Sequence, residues 1–466
     1  MKKPITLVSA ALVAAVCGLS VHADKVYYVE PDGNNPEGMT VDAVYTKIGT
    51  AINNVTADEP VTIYLKPGHV FSENNMNTNT NRIDLTIIGE NTTINANAAQ
   101  RILRTEAARL VLKGITFTGV KNYSSMGGVL YFAGNSGAAS ELVIDSCVFD
   151  SNTLTEGAEG GAAIATGTNA MNVIITNSVF KNNQAGKYSS TMSGAVIRFQ
   201  GKAGNFVGNT SEAVYTPDIE SSVSNQGAID VTESADATIY VINNTFYDND
   251  GALRIGDIYK GELVMLNNLI FANGAGIFGD PSYTVANLRT PIEGYNNIIV
   301  GAEQGVNDAI DDECFTSGKA QYNNTVETLA TYPLSNVALS TVLSTDNFVP
   351  YLALTAENSS AVNAGYATGE YVDLVPTTDI RGLAVVGTRD IGAYEYGATD
   401  PSAISSVAAD ESDFVIVANG DQISVMNTAD RNFTLTVVDM LGRAIYAGNG
   451  AGMMTVNKQE RNLRVD

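Results

Sequence analysis

The chain has 466 residues, with 26 Lys and Arg against 50 Asp and Glu and a formal net charge of −24 at pH 7. So acidic a surface makes nucleic acid a poor partner. Glycine stands at 43 and asparagine at 45 while tryptophan is absent, a composition that favours turn-rich β structure over helix.

Met1 to Ala23 reads as an export signal: Lys2 and Lys3, an apolar run from Ile5 to Val16, then Val21-His22-Ala23 before Asp24. The run is too short to span a bilayer, and no later segment approaches ~20 apolar residues, so no transmembrane segment is expected. Beyond the signal only Cys147 and Cys314 remain, which rules out a disulfide framework. Val44, Ile48, Ile52 and Val55 fall at helical spacing. They predict an amphipathic helix over residues 40 to 55, placed to cover the open end of a strand stack, before a first strand Val61-Thr62-Ile63-Tyr64-Leu65.

From residue 114 to residue 300 a phrase recurs: an apolar strand, an Asn or Ser pair, then Phe-x-x-Asn. Its copies include Phe149-Asp150-Ser151-Asn152, Phe180-Lys181-Asn182-Asn183, Phe206-Val207-Gly208-Asn209, Phe246-Tyr247-Asp248-Asn249 and Leu269-Ile270-Phe271-Ala272-Asn273. Between them lies a Gly-Ala phrase with glycines at Gly128, Gly161, Gly194, Gly227 and Gly251, spaced by 33, 33, 33 and 24 residues. One such circuit cannot bury its apolar face alone, whereas circuits stacked ~4.8 Å apart share a core and pair their backbones. The fold class is therefore all-β, a parallel β-helix solenoid, with the asparagines stacked as an amide ladder at one turn and Phe149, Phe180, Phe206 and Phe246 stacked inside. Cys147 and Cys314 then lie five coils apart, ~24 Å along the axis, and are expected to be free thiols. Coils are expected to continue irregularly to Tyr396. The domains read as signal 1–23, solenoid 24–397, an Ala/Ser/Asp-rich linker 398–411, and a small β-sandwich-like module 412–466 whose strands alternate from Phe414 onward.

These repeats resemble those of the chlamydial polymorphic outer-membrane protein family and of many bacterial right-handed β-helix proteins, over roughly residues 40 to 300. The resemblance implies a right-handed coil of the pectate-lyase-like fold, which hosts adhesins as well as polysaccharide lyases, pectin esterases and polygalacturonases. Asp379-Ile380-Arg381-Gly382 and Arg389-Asp390-Ile391-Gly392-Ala393-Tyr394-Glu395 resemble the end of secreted bacterial β-helix proteins that carry a separate anchoring tail. Val437-Val438-Asp439-Met440-Leu441-Gly442-Arg443-Ala444-Ile445-Tyr446 is similar to the sorting domain of Bacteroidetes-type secretion, which implies a secretion machinery as partner and a secreted or outer-surface location. It departs from that pattern at its end, where Arg461-Asn462-Leu463-Arg464-Val465-Asp466 is followed by no Gly-x-Tyr strand or closing basic strand.

Three positions after each glycine stand Tyr131, Ile164, Ile197, Asp230 and Arg254, which alternation places on an exposed exterior sheet. Asp230 and Arg254 are the candidate catalytic pair, because lyases and esterases of this fold use exterior acids and arginines on a uronate chain. The alternative is a surface ion pair across neighbouring strands. Insertions between the Phe and Gly phrases lengthen one corner in four successive coils and carry Tyr123, Tyr188 and Tyr215, flat rings suited to sugars or partner proteins. Asp308, Asp311, Asp312 and Glu313 form an acidic cluster that is either a solvated loop or a set of oxygen ligands for Ca²⁺. His69 is the sole histidine after the signal, so triad and Zn chemistry lack their parts. The residues together favour a secreted interaction scaffold, adhesin-like, for a polysaccharide or surface protein; the alternative is a polysaccharide lyase or hydrolase acting on uronate-rich polymer.

Overall fold

The computed structural model describes residues 25 to 457 apart from 37–38, 57–58, 79–82, 136–139, 156–157, 159, 170, 185–195, 200–203, 208–209, 213–227, 232–237, 250, 256–261, 273, 275, 280–291, 303, 307–314, 316–320, 399–413, 420–421, 428–431, 439–443 and 452. It divides into two compact units, one within Val21–Ala398 and the other including Thr399–Asp466. The larger unit is nearly all β. Its strands pair in parallel with the strand one coil earlier and one coil later, giving three faces of a β-helix-like stack. The first face runs from Lys25–Val29 through Val61–Leu65 to Ile292–Tyr295. Val70–Phe71 and Val148–Asp150 lie on the second face, which runs on to Thr325–Thr328, and the third runs from Met76–Asn77 to Ile277–Gly279. Asp84–Ala98 and Arg109–Val120 pass through two faces each, bending at Gly89 and Gly114. Gly114 has φ +65° there, and a Cβ on it would stand 2.4 Å from the Gly89 carbonyl oxygen.

Alternation sends one set of side chains inward, and coil-to-coil register stacks like on like. On the first face Leu85, Leu110, Leu142 and Val173 align, as do Ile87, Leu112, Ile144 and Ile175, and all belong to one buried core. On the second face Phe117, Phe149 and Phe180 stack with ring centroids 5.2 and 4.7 Å apart. The backbone places Phe206 elsewhere: it is on the first face, level with Ile175 and Val241. Ser211 takes the second-face position between Phe180 and Phe246. The next copy keeps phase with Phe246, since its apolar anchor three before Asn273 is Ile270, and Ile270 is level with Phe246. A Phe-x-x-Asn match thus marks equivalent positions only where the preceding strand has equal length.

The expected single amide ladder is two ladders at two corners. Phe-x-x-Asn supplies the one that follows the second face, where Asn152 Nδ2 donates to Asn183 Oδ1 at 3.0 Å and to the Phe117 carbonyl at 3.1 Å. The Asn pair supplies the other, between the first and second faces. There Asn244 donates to Asn268 at 3.1 Å, Asn268 to Asn297 at 2.8 Å, and Asn297 to Asn324 at 2.9 Å. Each Oδ1 also accepts the backbone N–H of the coil before, and each of Asn268, Asn297 and Asn324 donates to a carbonyl of the previous coil. Orphan backbone groups at the corner are satisfied without water.

The N-terminal helix is shorter than its spacing predicts, Ile48–Asn53, because Ala43–Tyr45 is used as a strand beside Tyr27–Val29. Ile48, Ala51 and Ile52 are buried in the same core. The first strand is Lys25–Val29, paired with Val61–Leu65, rather than Val61–Leu65 itself. No helix among the described residues is long and apolar enough to cross a membrane.

Coils do not continue to Tyr396. After Thr325–Thr328 the chain turns back over the outside of the stack. Leu269, Phe271, Ile298 and Val300 point outward from the second face and are buried with Val337, Leu339, Leu352, Leu354, Ala361 and Ile391. Ile242, Val264 and Leu266 on the first face are covered by Tyr371, Leu374 and Val375. Strands apolar at every position, such as Leu269-Ile270-Phe271-Ala272, are what two-sided burial requires. The first asparagine of each corner pair holds this wrap. Asn243, Asn267 and Asn296 adopt φ of 53°, 56° and 54°. Asn243 Nδ2 donates to the Asp390 and Gly392 carbonyls, Asn267 Oδ1 accepts the Tyr366 N–H at 2.6 Å, and Asn296 Nδ2 donates to the Ala364 carbonyl at 2.8 Å.

The Asp379 and Arg389 motifs close the wrap as one buried network. Arg389 Nη1 pairs with Glu395 at 2.7 Å, Arg381 Nε with Asp379 at 2.7 Å, and the Glu395 N–H donates to Asp379 at 3.2 Å. Arg381 also lies over the Tyr394 ring at 4.0 Å. Burial pushes Asp390 up to about 6, against the pull of the Asn363 and Tyr396 amides on its carboxylate. In the smaller unit Phe414–Asn419, Gln422–Asn427 and Met453–Asn457 form one antiparallel sheet, and Asn432–Val438 pairs with Ala444–Ala451.

Cys147 is a free, buried thiol whose pKa burial pushes up to about 12, while Cys314 lies outside the described residues. Asn268→Ala, which strips four ladder bonds from a buried corner, is expected to lower unfolding free energy by ~2–4 kcal/mol in urea titration. In native protein at ~pH 8, peptide mapping after iodoacetamide should find Cys147 unlabelled, with labelling appearing only in denaturant.

Candidate ligand-binding face

The third face is a short-stranded sheet in which Leu103, Leu130, Ile164, Ile197, Ile229, Leu253 and Ile277 align and face the core. Its outward row is therefore Asn77, Arg104, Tyr131, Ala165, Arg198, Asp230 and Arg254. This corrects the counting from glycines at two places. Ile164 and Ile197 point inward, since the coils with Gly161 and Gly194 carry one extra residue before the strand, and a one-residue slip exchanges the two sides. Arg198 takes the outward position instead. The signal for it was local: an apolar Ile set between Val196 and Arg198 belongs inside.

Asp230 and Arg254 stand side by side on adjacent strands. Arg254 Nη1 lies 3.2 and 3.3 Å from the two carboxylate oxygens of Asp230. The surroundings differ from the expected exposed sheet, for Asp230 is 1% and Arg254 4% exposed, and Arg198 beside them is buried as well. Arg198, Asp230 and Arg254 thus follow one another in register on neighbouring strands, all three buried, with the ion pair between Asp230 and Arg254. Such a pair is held by low local dielectric and costs heavily when halved. Asp230→Ala is expected to lower stability by ~3–5 kcal/mol, and Asp230→Asn by less, as read from denaturant midpoints.

Toward the N-terminal end the same face opens to solvent. Tyr131 and Tyr123 are half-buried, and Arg101 sits between them, its guanidinium carbon 5.2 Å from the Tyr123 ring centre and 5.1 Å from that of Tyr131. Arg104, exposed and directly beside Tyr131 on the neighbouring strand, is 6.0 Å from its ring centre. Arg101 is fixed in place by donating through Nε to the Gly127 carbonyl at 2.9 Å and through Nη2 to that of Met126 at 2.6 Å. Burial lowers its pKa, with the charge of Arg104 acting the same way and the two tyrosines opposing it.

Tyr123 belongs to the lengthened corner, and the described parts of that corner stack in register. Tyr123 bridges Leu154 and Thr153 bridges Gln184, both in parallel, extending the sheet pattern sideways beyond the third face. The Tyr123 N–H donates to the Thr153 carbonyl and the Leu154 N–H to that of Gln184. Tyr188, Tyr215, Asp308, Asp311, Asp312 and Glu313 lie outside the described residues. Among the described residues no three His, Cys, Asp or Glu side chains group as a metal site. Sequence reading found Tyr123 from its loop and missed Arg101 and Arg104, which motif spacing does not mark.

No protein-family model matches the sequence, and no curated protein matches it either. Among solved structures the chain is similar to the pectate lyase Pel9A, with 16% identity, a TM-score of 0.32, and coverage of 80% of this chain and 97% of that one. A likeness of that grade carries no argument for activity, and the parallel β-helix-like description of this chain rests on its own strand pairing.

Proposed function

We propose that the chain is an extracellular interaction scaffold that binds a glycan or a surface partner along its third face and the stacked corner beside it. The in-register continuation of the corner insertions, Tyr123 to Leu154 and Thr153 to Gln184, carries this reading. Insertions aligned on one side of a solenoid make an extended contact surface, and half-buried tyrosines supply ring faces to it. Tyr188 and Tyr215, outside the described residues, are further ring contacts in this reading. The coil is right-handed, the helix Ile48–Asn53 covers the N-terminal end, residues 1–23 direct export, and residues 412–466 act as a sorting-like sandwich toward the cell surface. The acidic cluster Asp311, Asp312 and Glu313 is a Ca²⁺ site in this reading.

The lyase or hydrolase reading rests on Asp230 and Arg254. Their mutual pairing and burial favour the scaffold, because a proton-abstracting acid has to reach its substrate. Full-length mature protein incubated with acidic and neutral polysaccharides, with and without Ca²⁺, is expected to retain polymer without creating new chain ends. Tyr123→Ala should weaken retention several-fold. New chain ends that vanish in Arg254→Ala would establish the enzyme instead.

A further inference from the structure

Charge is unevenly spread along this acidic chain. Residues 91–140 hold five cations, Arg101, Arg104, Arg109, Lys113 and Lys121, against one acid, Glu106. Two of the five are matched on the first face: Arg109 pairs with Asp84 at 3.1 Å and Glu141 at 2.9 Å, and Lys113 with Asp145 at 3.2 Å. The other three belong to the corner after the second face and to the third face. Arg104 meets Glu106 at 2.7 Å in a pair close to solvent, which contributes little, and Lys121 donates to the Asn97 amide oxygen.

Arg101 has no carboxylate within ion-pair distance among the described residues, in a protein where acids outnumber bases about two to one. Withdrawing a guanidinium from water without a counter-charge is unfavourable, and the adjacent Arg104 makes it more so. The residue is nonetheless held rigidly, by two carbonyls on its Nε and Nη2 edge and by a phenol on either side. Its Nη1 has no protein acceptor among the described residues. A fixed guanidinium with one unused edge, a second guanidinium on the next residue to point outward, and ring faces flanking both make a receptor for a planar or tetrahedral oxyanion.

We propose that Arg101 and Arg104, framed by Tyr123 and Tyr131, bind the carboxylate or sulfate ester of an anionic polysaccharide. This rests on the glycan-binding reading of the third face and adds the charge of the ligand. The acidic remainder of the surface repels the same polymer, so attachment is confined to this site.

The test uses the full mature chain and an Arg101→Gln/Arg104→Gln variant, in which the amide nitrogen of the shorter glutamine falls near the place of Arg101 Nε, beside the Gly127 carbonyl. Both are titrated at physiological salt against hyaluronate, which carries carboxylates only, dextran sulfate, which carries sulfates only, and neutral dextran. Binding of one or both acidic polymers, at least ~10-fold weaker in the variant, with no binding of dextran, is the expected result, and the preferred polymer identifies the oxyanion. Equal binding of an acidic polymer by both proteins, or binding of dextran alone, overturns the oxyanion site while leaving a glycan scaffold standing. If no polymer binds, the glycan reading fails and the site is judged by small anions. Glucuronate or sulfate should then raise the melting temperature of the wild type above that in chloride at matched ionic strength, and equal shifts in the variant overturn it.

Discussion

A stack of parallel coils pairs its strands readily, but at each corner the backbone leaves the ladder with N–H and C=O groups that have no strand to meet. Everything else in this molecule depends on how those corners are satisfied. Side-chain amides do it, because an amide donates from one atom and accepts at another and so repeats along an axis. Asn244, Asn268, Asn297 and Asn324 complete one such column and Asn152 with Asn183 another. Serine stands at the equivalent corner earlier in the stack, where Ser178 Oγ accepts the Cys147 N–H and donates to the Thr176 carbonyl, a shorter version of the same arrangement.

The parallel stack was legible from sequence because its cause is periodic: apolar strand, corner pair, phenylalanine, asparagine. Register was legible only where strand lengths agree. Phe206 carries the right letters at the wrong phase, since the motif says nothing of how many residues precede it. The same blindness put Ile164 and Ile197 outside and hid Arg198. Burial of Asp230 and Arg254 could not be read at all, for alternation tells which side of a sheet a residue occupies and not what lies over that side. The wrap left a trace that counting overlooked, in strands such as Ile298-Ile299-Val300-Gly301 that are apolar on both sides.

Three groupings of arginine serve three different ends here. Arg198 and Arg254 flank Asp230 beneath cover, Arg381 and Arg389 join Asp379 and Glu395 in the wrap, and Arg101 with Arg104 sits at an open end among tyrosines. Buried ionic networks seldom add much net stability over apolar packing, but they tolerate very few alternative arrangements. In a repetitive stack, where a slipped register buries nearly as much apolar surface as the native one, that intolerance selects a single alignment. The fork of Arg389 reaches the Glu395 carboxylate and the Ala393 and Tyr394 carbonyls together, a geometry no neighbouring register reproduces.

The wrap also differs from the coils in the reach of its contacts. Coils close over 24 to about 33 residues, whereas Asn243 meets Asp390 across 147 positions of sequence. Long loops cost more entropy to close than short ones, so the coils carry the smaller closure cost and the covering segment the larger. A chain appearing N-terminus first would hold Leu269, Phe271, Ile298 and Val300 bare until residues 329 to 398 arrive. Residues 329 to 398 are thus the part that keeps this flank of the stack out of water, and a chain lacking them would carry the flank bare, an edge for aggregation.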